Sequence, residues 1–312
     1  MPVETFHTLI ARNKRNSFLL IFVFLLLFVG MGLLIGYVWG AGEMAFAWIV
    51  AGIAGTIAFI LILLSYFGGP SALLSLSRAR ELKKEDDPQL YNVIEELSLA
   101  AGQPVPRIYL INDTAMNAFA TGRNPKHAVV AITVGLRQKL SRDELQGVMA
   151  HELSHVRHYD ILYATLMAVM VGVLVMLCDV FLRSLWFGGG SRRRSRRSKS
   201  KGGGAEAIIL VIAILLAILA PILARIIHLA LSRQREYLAD AGSVELTRNP
   251  EGLAAALAKI NGDTEVLEVA NRATAPLYIV HPIKKFEARA KKIFSTHPPI
   301  QDRIQRILSL TV

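Results

Sequence analysis

The stretch from residue 147 to residue 160, "GVMAHELSHVRHYD", places two histidines four residues apart with a glutamate directly after the first. On an α-helix, residues i and i+4 share a face, so His151 and His155 can reach one ion while Glu152 stands beside it. That is the spacing of a zinc hydrolase, in which two imidazoles hold the metal and a neighbouring carboxylate moves protons. The five-residue pattern is short, and a polar helix in an apolar chain would also produce it. The surrounding sequence has to discriminate between the two readings.

The chain has 312 residues, 53% of them hydrophobic, and a mean hydropathy of +0.42, which is too apolar for an ordinary soluble protein and points to membrane spans. Residues 17–40, "SFLLIFVFLLLFVGMGLLIGYVWG", carry no charge and as a helix would be about 36 Å long, enough to cross a hydrocarbon core of about 30 Å. Residues 44–67, "MAFAWIVAGIAGTIAFILILLSYF", do the same. The first run is too long for a signal-peptide core and no small-residue cleavage site follows it, so the two read as a retained anchor pair. Two later runs are less simple. Residues 161–178 are just long enough to span, and residues 207–231 contain Arg225 and Pro221, the latter expected to kink a helix.

Between these later runs lies "GGGSRRRSRRSKSKGGG", residues 188–204, with seven basic residues and no acidic one, which accounts for most of the formal net charge of +11. No aromatic residue interrupts it and apolar runs flank it, so it reads as a loop for anionic lipid headgroups rather than for nucleic acid. Arg12, Lys14 and Arg15 precede the first span, and Arg78, Arg80, Lys83 and Lys84 follow the second, whereas their connection offers only Glu43. The excess of positive charge places both flanks in the cytoplasm. The Arg-rich loop breaks that rule if the hairpin at 161–231 crosses fully, and the sequence leaves open whether that hairpin crosses or only dips in.

The remaining segments read as folded and water-facing. "PQLYNVIEELSLAA", residues 88–101, has helical periodicity with Pro88 in its first turn and Gly102 after its last, while "RIYLI" and "HAVVAI" read as short strands. "NAFATG", residues 117–122, falls between them and is expected to join them. "NPEGLAAALAKING" supplies Asn249 as N-cap, Pro250 at the first helical position and Gly262 as a stop. A last helix begins within "HPPIQDRIQRIL", and no solenoid-type repeat is present.

A catalytic zinc takes three protein ligands and leaves a position for water, so the two histidines need a partner. "REYLADAG" offers it: Glu236 would complete a His-His-Glu set, and Asp240, one turn on, could accept the other ring N–H of a ligand histidine. Alone, this segment would equally read as a solvated acidic face flanked by Arg233 and Arg235. Position favours the ligand reading, because His155 precedes the third apolar run by about 9 Å of helix and Glu236 follows the fourth closely. A hairpin of those runs brings both halves of the site to one membrane surface. Neutral imidazoles and one carboxylate leave net positive charge that would lower the pKa of water from about 15.7 to about 7. Glu152 adjoins a ligand without being one, and could take the proton and pass it to the leaving amine.

Taken together, "HELSH", "REYLAD" and the late "STHPPIQDRI" resemble the HtpX-type membrane metallopeptidases, relatives of the CAAX prenyl proteases. The resemblance covers nearly the whole chain. It implies a mostly α, α+β fold with transmembrane helices and a gluzincin-like peptidase domain carrying a small β-sheet. It also implies one Zn2+ per chain on His151, His155 and Glu236, Glu152 as catalytic base, and a stress-response role in protein quality control at the cell inner membrane, on membrane or misfolded protein substrates. The resemblance further places His297, the histidine of the HP motif, and Arg303 near the metal, where either could stabilise an oxyanion. "MNAFATGR" resembles the family's edge strand, so Asn117, Ala118, Phe119 and Ala120 are expected to pair with extended substrate. The domain organisation that follows is a cytoplasmic N-terminus at 1–16, two transmembrane helices within 17–67, peptidase segments at 68–160 and 232–312, and the hydrophobic hairpin at 161–231 between them. The Arg-rich loop is unusually long for the family.

Two other functions compete. An inactive scaffold would keep the fold, but Glu152 is intact. A transporter would place its polar groups near the bilayer midplane, whereas the expected ligands lie outside the apolar runs. His7, His127, His158 and His281 have no partner pattern and are expected to be exposed, and His228 lies within an apolar run. Asp160 could cap or support the zinc helix. Cys178 is the single cysteine, so no intrachain disulfide forms and a reducing compartment is compatible.

Overall fold

The computed structural model describes residues 6–40, 42–170, 233–265, 267, 278–279 and 298–310. His228, His281, His297, the Arg-rich stretch and most of the 161–231 hairpin lie outside the described residues. Those that are described fall into two compact units: one holds residues 6–17, 66–168 and the described part of the chain from 233 on, and the other holds 18–65 with 169 and 170.

Helix α1 (Phe6–Trp39) and α2 (Met44–Leu76) contain the first two apolar runs. Both helices outrun the stretches marked by hydropathy. Nothing in residues 6–16 breaks a helix, so α1 starts well before its apolar part, and α2 continues through Pro70 to Leu76. Both are long and apolar enough to cross a membrane. Their side chains agree with that environment, since Phe18, Trp48, Ile49, Ile53 and Phe59 are all more than half exposed, a display that water opposes and hydrocarbon does not. Between the two helices small residues meet: Gly32 faces Ala51 and Gly36 faces Ala47, and Ala47, Ala51 and Ala58 are buried.

In the other unit a four-stranded sheet runs β1-β2-β4-β3, built from β1 (Ala79–Glu81), β2 (Arg107–Ile111), β3 (Ala118–Gly122) and β4 (Ala128–Thr133). β2 and β4 are parallel, and β1 and β3 pair antiparallel on the outside. "NAFATG" therefore joins the sheet through β4 alone, as an edge. The edge strand β1 carries no sequence signal, being three residues of Ala-Arg-Glu.

The strand alternation explains why β4 is buried at every position. Ala128, Val130 and Ile132 face a large cluster with Ile94 and Leu97 of α3 (Pro88–Ala100) and Val148 and Leu153 of α5 (Arg142–Arg157). Val129 and Ala131 face a second cluster with Leu74, Phe119 and Tyr278. The short α4 (Val134–Lys139) links β4 to α5.

α5 is the central helix. Ser141 and Glu144 close a reciprocal capping box at its start, and Asp143 and Glu144 add acidic charge to its first turn. α3, β3 and α8 (Pro250–Gly262, capped by Asn249) pack against it, α9 (Ile300–Leu308) packs on α8, and most of α6 (described over Asp160–Met170) and α7 (233–247) belong to the same unit. Gly147 lies at the crossing with α8, where a Cβ would stand 2.7 Å from the Leu253 nitrogen and 2.8 Å from its Cα. Backbone atoms cannot turn aside as a side-chain end can. Gly147→Ala should therefore destabilise the protein by about 1–3 kcal/mol, although alanine is the better helix former by about 1 kcal/mol. Thermal unfolding of the detergent-solubilised variant measures this, and an unchanged or raised midpoint would contradict the close crossing.

Candidate metal centre

Three α5 side chains, two from α7, one from α9 and one at the start of α6 converge. His151, Glu152 and His155 come from α5, Glu236 and Asp240 from α7, Arg303 from α9 and Asp160 from α6. All but His155 are nearly fully buried, including Glu236 at 6% and Asp240 at 2% relative exposure, so the solvated acidic face considered for this segment is not what forms. α7 is tied to α5 beside the site by Ser243, whose hydroxyl donates to the Gly147 carbonyl at 2.8 Å.

Both histidines have a carboxylate behind them. His151 Nδ1 lies 3.0 Å from Asp240 Oδ1, and His155 Nδ1 lies 3.1 Å from Asp160 Oδ2. The carboxylates accept, which assigns the Nδ1–H tautomer to each ring and leaves the Nε2 lone pairs for the centre. Those two Nε2 atoms are 3.2 Å apart. Two lone pairs at that separation are stabilised only by positive charge between them, whether a proton or a metal ion.

Glu236 closes the triangle, with Oε2 3.7 Å from His151 Nε2 and Oε1 3.6 Å from His155 Nε2. Ligands at 2.0–2.1 Å from a tetrahedral zinc stand about 3.3 Å from one another. The 3.2 Å edge between the imidazoles fits that set, whereas the 3.6 and 3.7 Å edges end on different Glu236 oxygens; with one oxygen as ligand the three atoms lie within 4.8 Å of one another, so the Glu236 carboxylate has to turn toward the rings to close the set. Among the described residues this is the one group of three or more His, Cys, Asp or Glu side chains arranged to hold a metal ion.

Arg303 is fully buried and holds the carboxylates in place. Its Nε and Nη2 donate to the two Asp240 oxygens at 2.9 and 2.6 Å, and its Nη1 stands 3.2 Å from Glu236 Oε2 and donates to the Ile279 carbonyl at 3.3 Å. The guanidinium is thus directed at the ligand-bearing groups. Burial alone would raise the Asp240 pKa, but Arg303 and the His151 bond bring it below the usual value, so Asp240 is ionised.

Protonation of the remaining groups follows from their surroundings. Burial lowers the His151 pKa despite Asp240, which favours the neutral, ligating form. Burial also resists charge on His155, but the Asp160 bond and Glu236 outweigh it and carry its pKa up to about 9. The space between the two rings therefore favours a cation. Burial pushes Glu152 up to about 7, against the His155 charge and a bond from the Ala120 N–H. A carboxyl group near neutrality can both accept and return a proton.

β3 runs past Glu152, and Asn117 to Ala120 are all buried. The Thr133 N–H donates to the Asn117 carbonyl, so the alternation turns the backbone groups of Ala118 and Ala120 away from β4. Those groups are engaged within the chain: Ala118 N–H with Asn117 Oδ1, the Ala118 carbonyl with the Ile279 N–H, and Ala120 N–H with Glu152.

His127 is exposed as expected, but His158 is buried at 3%. It ends α5 where the chain turns into α6, a position that spacing alone does not reveal. Two participants had no signal in the sequence. Asn13 bonds Asp160 at 2.6 Å, and the backbone of Ile279 meets both Arg303 and Ala118.

The profile described as Peptidase family M48 matches residues 84–311. The chain is 42% identical over 301 residues to a "Protease HtpX homolog" of Lactobacillus helveticus, covering 96% of this chain and 97% of that one. It is 44% identical over 308 residues to one of Dictyoglomus thermophilum (98% and 95%), and 42% over 314 residues to one of Caldanaerobacter subterraneus subsp. tengcongensis (100% and 100%). Among solved structures, the crystal structure of S. mikatae Ste24p is similar with a TM-score of 0.51 at 20% identity, a likeness of fold. That match covers 89% of this chain and 62% of the other.

Zinc titration of the full chain in detergent tests the ligand set. Glu236→Ala should abolish tight binding, and Asp240→Asn should weaken it by about 10- to 100-fold, as loss of a carboxylate behind a ligand histidine does elsewhere. Parent-like affinity in Glu236→Ala would place the third ligand at another residue.

Proposed function

The chain belongs to peptidase family M48, a metalloprotease with two membrane-competent helices, and on that premise we propose that it is a zinc endopeptidase working at the cytoplasmic surface of the cell membrane. In this reading one Zn2+ sits on His151, His155 and Glu236. The observation that supports it is the triangle of ligand atoms, all within 4.8 Å of one another, with Glu152 next to a corner. Zinc, when bound, supplies Lewis-acid charge to the scissile carbonyl and the attacking water.

The chain's own residues carry the remaining steps. Glu152 accepts the proton of the attacking water and returns it to the leaving amine, a task that its pKa of about 7 suits. Asp240 and Asp160 hold the two imidazoles in the ligating tautomer. Arg303 fixes Asp240 and Glu236 and brings positive charge to the edge of the site, charge that an oxyanion can use. His297 is proposed alongside it from the HP motif. The edge strand at Asn117, Ala118, Phe119 and Ala120 would guide extended substrate past Glu152.

The substrates we propose are membrane proteins and misfolded chains, in a quality-control role that the HtpX-named relatives suggest. The Arg-rich stretch at 188–204 would meet anionic headgroups.

Glu152→Gln keeps the helix and the ligands but removes the base. The variant should bind zinc as the parent does while its cleavage of an unfolded membrane-protein substrate falls at least about 100-fold. Near-normal cleavage by the zinc-loaded variant would remove Glu152 from the mechanism.

Orientation is tested by cysteine labelling in intact cells with an impermeant thiol reagent, after Cys178→Ser and with single cysteines replacing Glu85 or Ser198. Seven basic residues flank the first two spans on the proposed inner side, so the cysteine at 85 should be protected. Labelling at 85 alone would invert the orientation. Protection at both positions would mean that the hairpin enters without crossing, and labelling at 198 alone would mean that four spans cross.

A further inference from the structure

Beyond the groups supplied by α5, α6, α7 and α9, one buried polar side chain reaches the site from α1. Asn13 lies ahead of the apolar part of that helix and is 4% exposed. Its Nδ2 donates twice, to the His158 carbonyl at 2.9 Å and to Asp160 Oδ1 at 2.6 Å. The other Asp160 oxygen lies 3.1 Å from His155 Nδ1. Amide, carboxylate and imidazole thus form one continuous chain that ends on the ring whose Nε2 faces the centre.

The turn between α5 and α6 explains why such a brace is useful. α5 ends at Arg157 and α6 begins at Asp160, so the Asp160 carboxylate can return to His155 only through the two residues between them. One of these, Tyr159, has φ 62°, the left-handed region that a bulky residue avoids. Asn13 grips both ends of that turn, at the carbonyl of residue 158 and the side chain of residue 160. Lys14 adds a contact at its tip, with Nζ 4.3 Å from the Tyr159 ring centroid. A carboxamide is also the neutral side chain that offers two N–H groups on a single nitrogen, as these two acceptors require.

We infer that Asn13 is a positioning residue for the metal site, holding Asp160 so that His155 presents Nε2 to the ion. Arg235, whose Nη1 is 4.0 Å from the same Asp160 Oδ1, is too distant to replace a bond of 2.6 Å. The inference rests on the proposal that His155 binds zinc.

The test uses the full chain in detergent, with zinc affinity read by competition with a chromophoric chelator and ligand geometry read from the visible spectrum after Co2+ loading. Asn13→Ala should weaken zinc by about 3- to 10-fold, less than the 10- to 100-fold typical of a carboxylate directly behind a ligand. Asn13→Asp, nearly the same shape, should be worse, because it sets a carboxylate against Asp160 and the His158 carbonyl. In the double variant Asn13→Asp with Asp160→Asn, the new amide can accept from His155 and donate to residue 13. It should therefore bind zinc more tightly than Asn13→Asp alone and recover part of the parent Co2+ spectrum. In zinc-saturated enzyme kcat should fall with little change in KM.

A filler role predicts the opposite order, with the near-isosteric Asn13→Asp milder than Asn13→Ala. That order, parent-like affinity in both single variants, or a double variant no better than Asn13→Asp would each overturn the assignment. His151→Ala is the control that separates the two readings. If it leaves zinc binding unchanged, the metal proposal fails and this one with it. If it abolishes binding while the residue 13 variants keep theirs, only the Asn13 assignment fails.

Discussion

The site depends first on a buried carboxylate shared by two partners. Asp240 accepts from His151 Nδ1 at 3.0 Å and receives the fork of Arg303 at 2.6 and 2.9 Å. An isolated carboxylate in that position would cost several kcal/mol and would take up a proton instead. Arg303, itself fully buried, keeps it ionised, and only the ionised form dictates the His151 tautomer. Arg303 needs Asp240 in turn, together with Glu236 and the Ile279 carbonyl, because a bare guanidinium could not be buried there. The His151 imidazole, the two carboxylates and the guanidinium are therefore one arrangement, and none of its members can be removed without leaving another uncompensated.

Such an arrangement needs elements that do not slide. Those four residues come from α5, α7 and α9, which are separate segments of the sequence, so their register must be fixed by contacts that tolerate no slack. Gly147 brings the backbone of α8 onto α5, and the Ser243 hydroxyl locks α7 to the same residue's carbonyl. The capping box at Ser141 and Glu144 sets where α5 begins, and Lys259 of α8 bonds the same Glu144 at 2.8 Å. The opposite end of α5 has no such cap. It ends in the turn at His158 and Tyr159, which is where the brace from Asn13 lies.

What could be read from the sequence follows the range of each interaction. His151, Glu152 and His155 share one helix, so spacing alone puts them on one face. Glu236 and Asp240 likewise carry an i, i+4 pattern, and the apolar runs on either side supplied the rest of the argument. The helices at 88–101 and 249–262 announce themselves with Pro88 and Asn249: the first forms with Pro88 in its first turn behind Asp87 as N-cap, and the second with Asn249 as N-cap. The strand β1 does not, because three residues of Ala-Arg-Glu have no alternation to detect and pair only because β2 offers an edge. Asn13 was silent for another reason. A single polar residue in a basic flank is ordinary, and its role exists only because a turn some 145 residues later comes to lie against it. The burial of His158 belongs to the same turn and was hidden for the same reason.

The edge strand imposes a last constraint on how a peptide could use the site. The outward-facing groups of Ala118 and the N–H of Ala120 are engaged by Asn117, Ile279 and Glu152, and the Gly122 N–H bonds the Thr165 hydroxyl at 3.3 Å. A substrate pairing along β3 must exchange these bonds rather than add to them, and each exchange is worth little, since a net hydrogen bond contributes only about 0.5–1.5 kcal/mol. Backbone pairing then gives alignment more than affinity. Weak, sequence-independent pairing of that kind would favour chains already extended over folded ones.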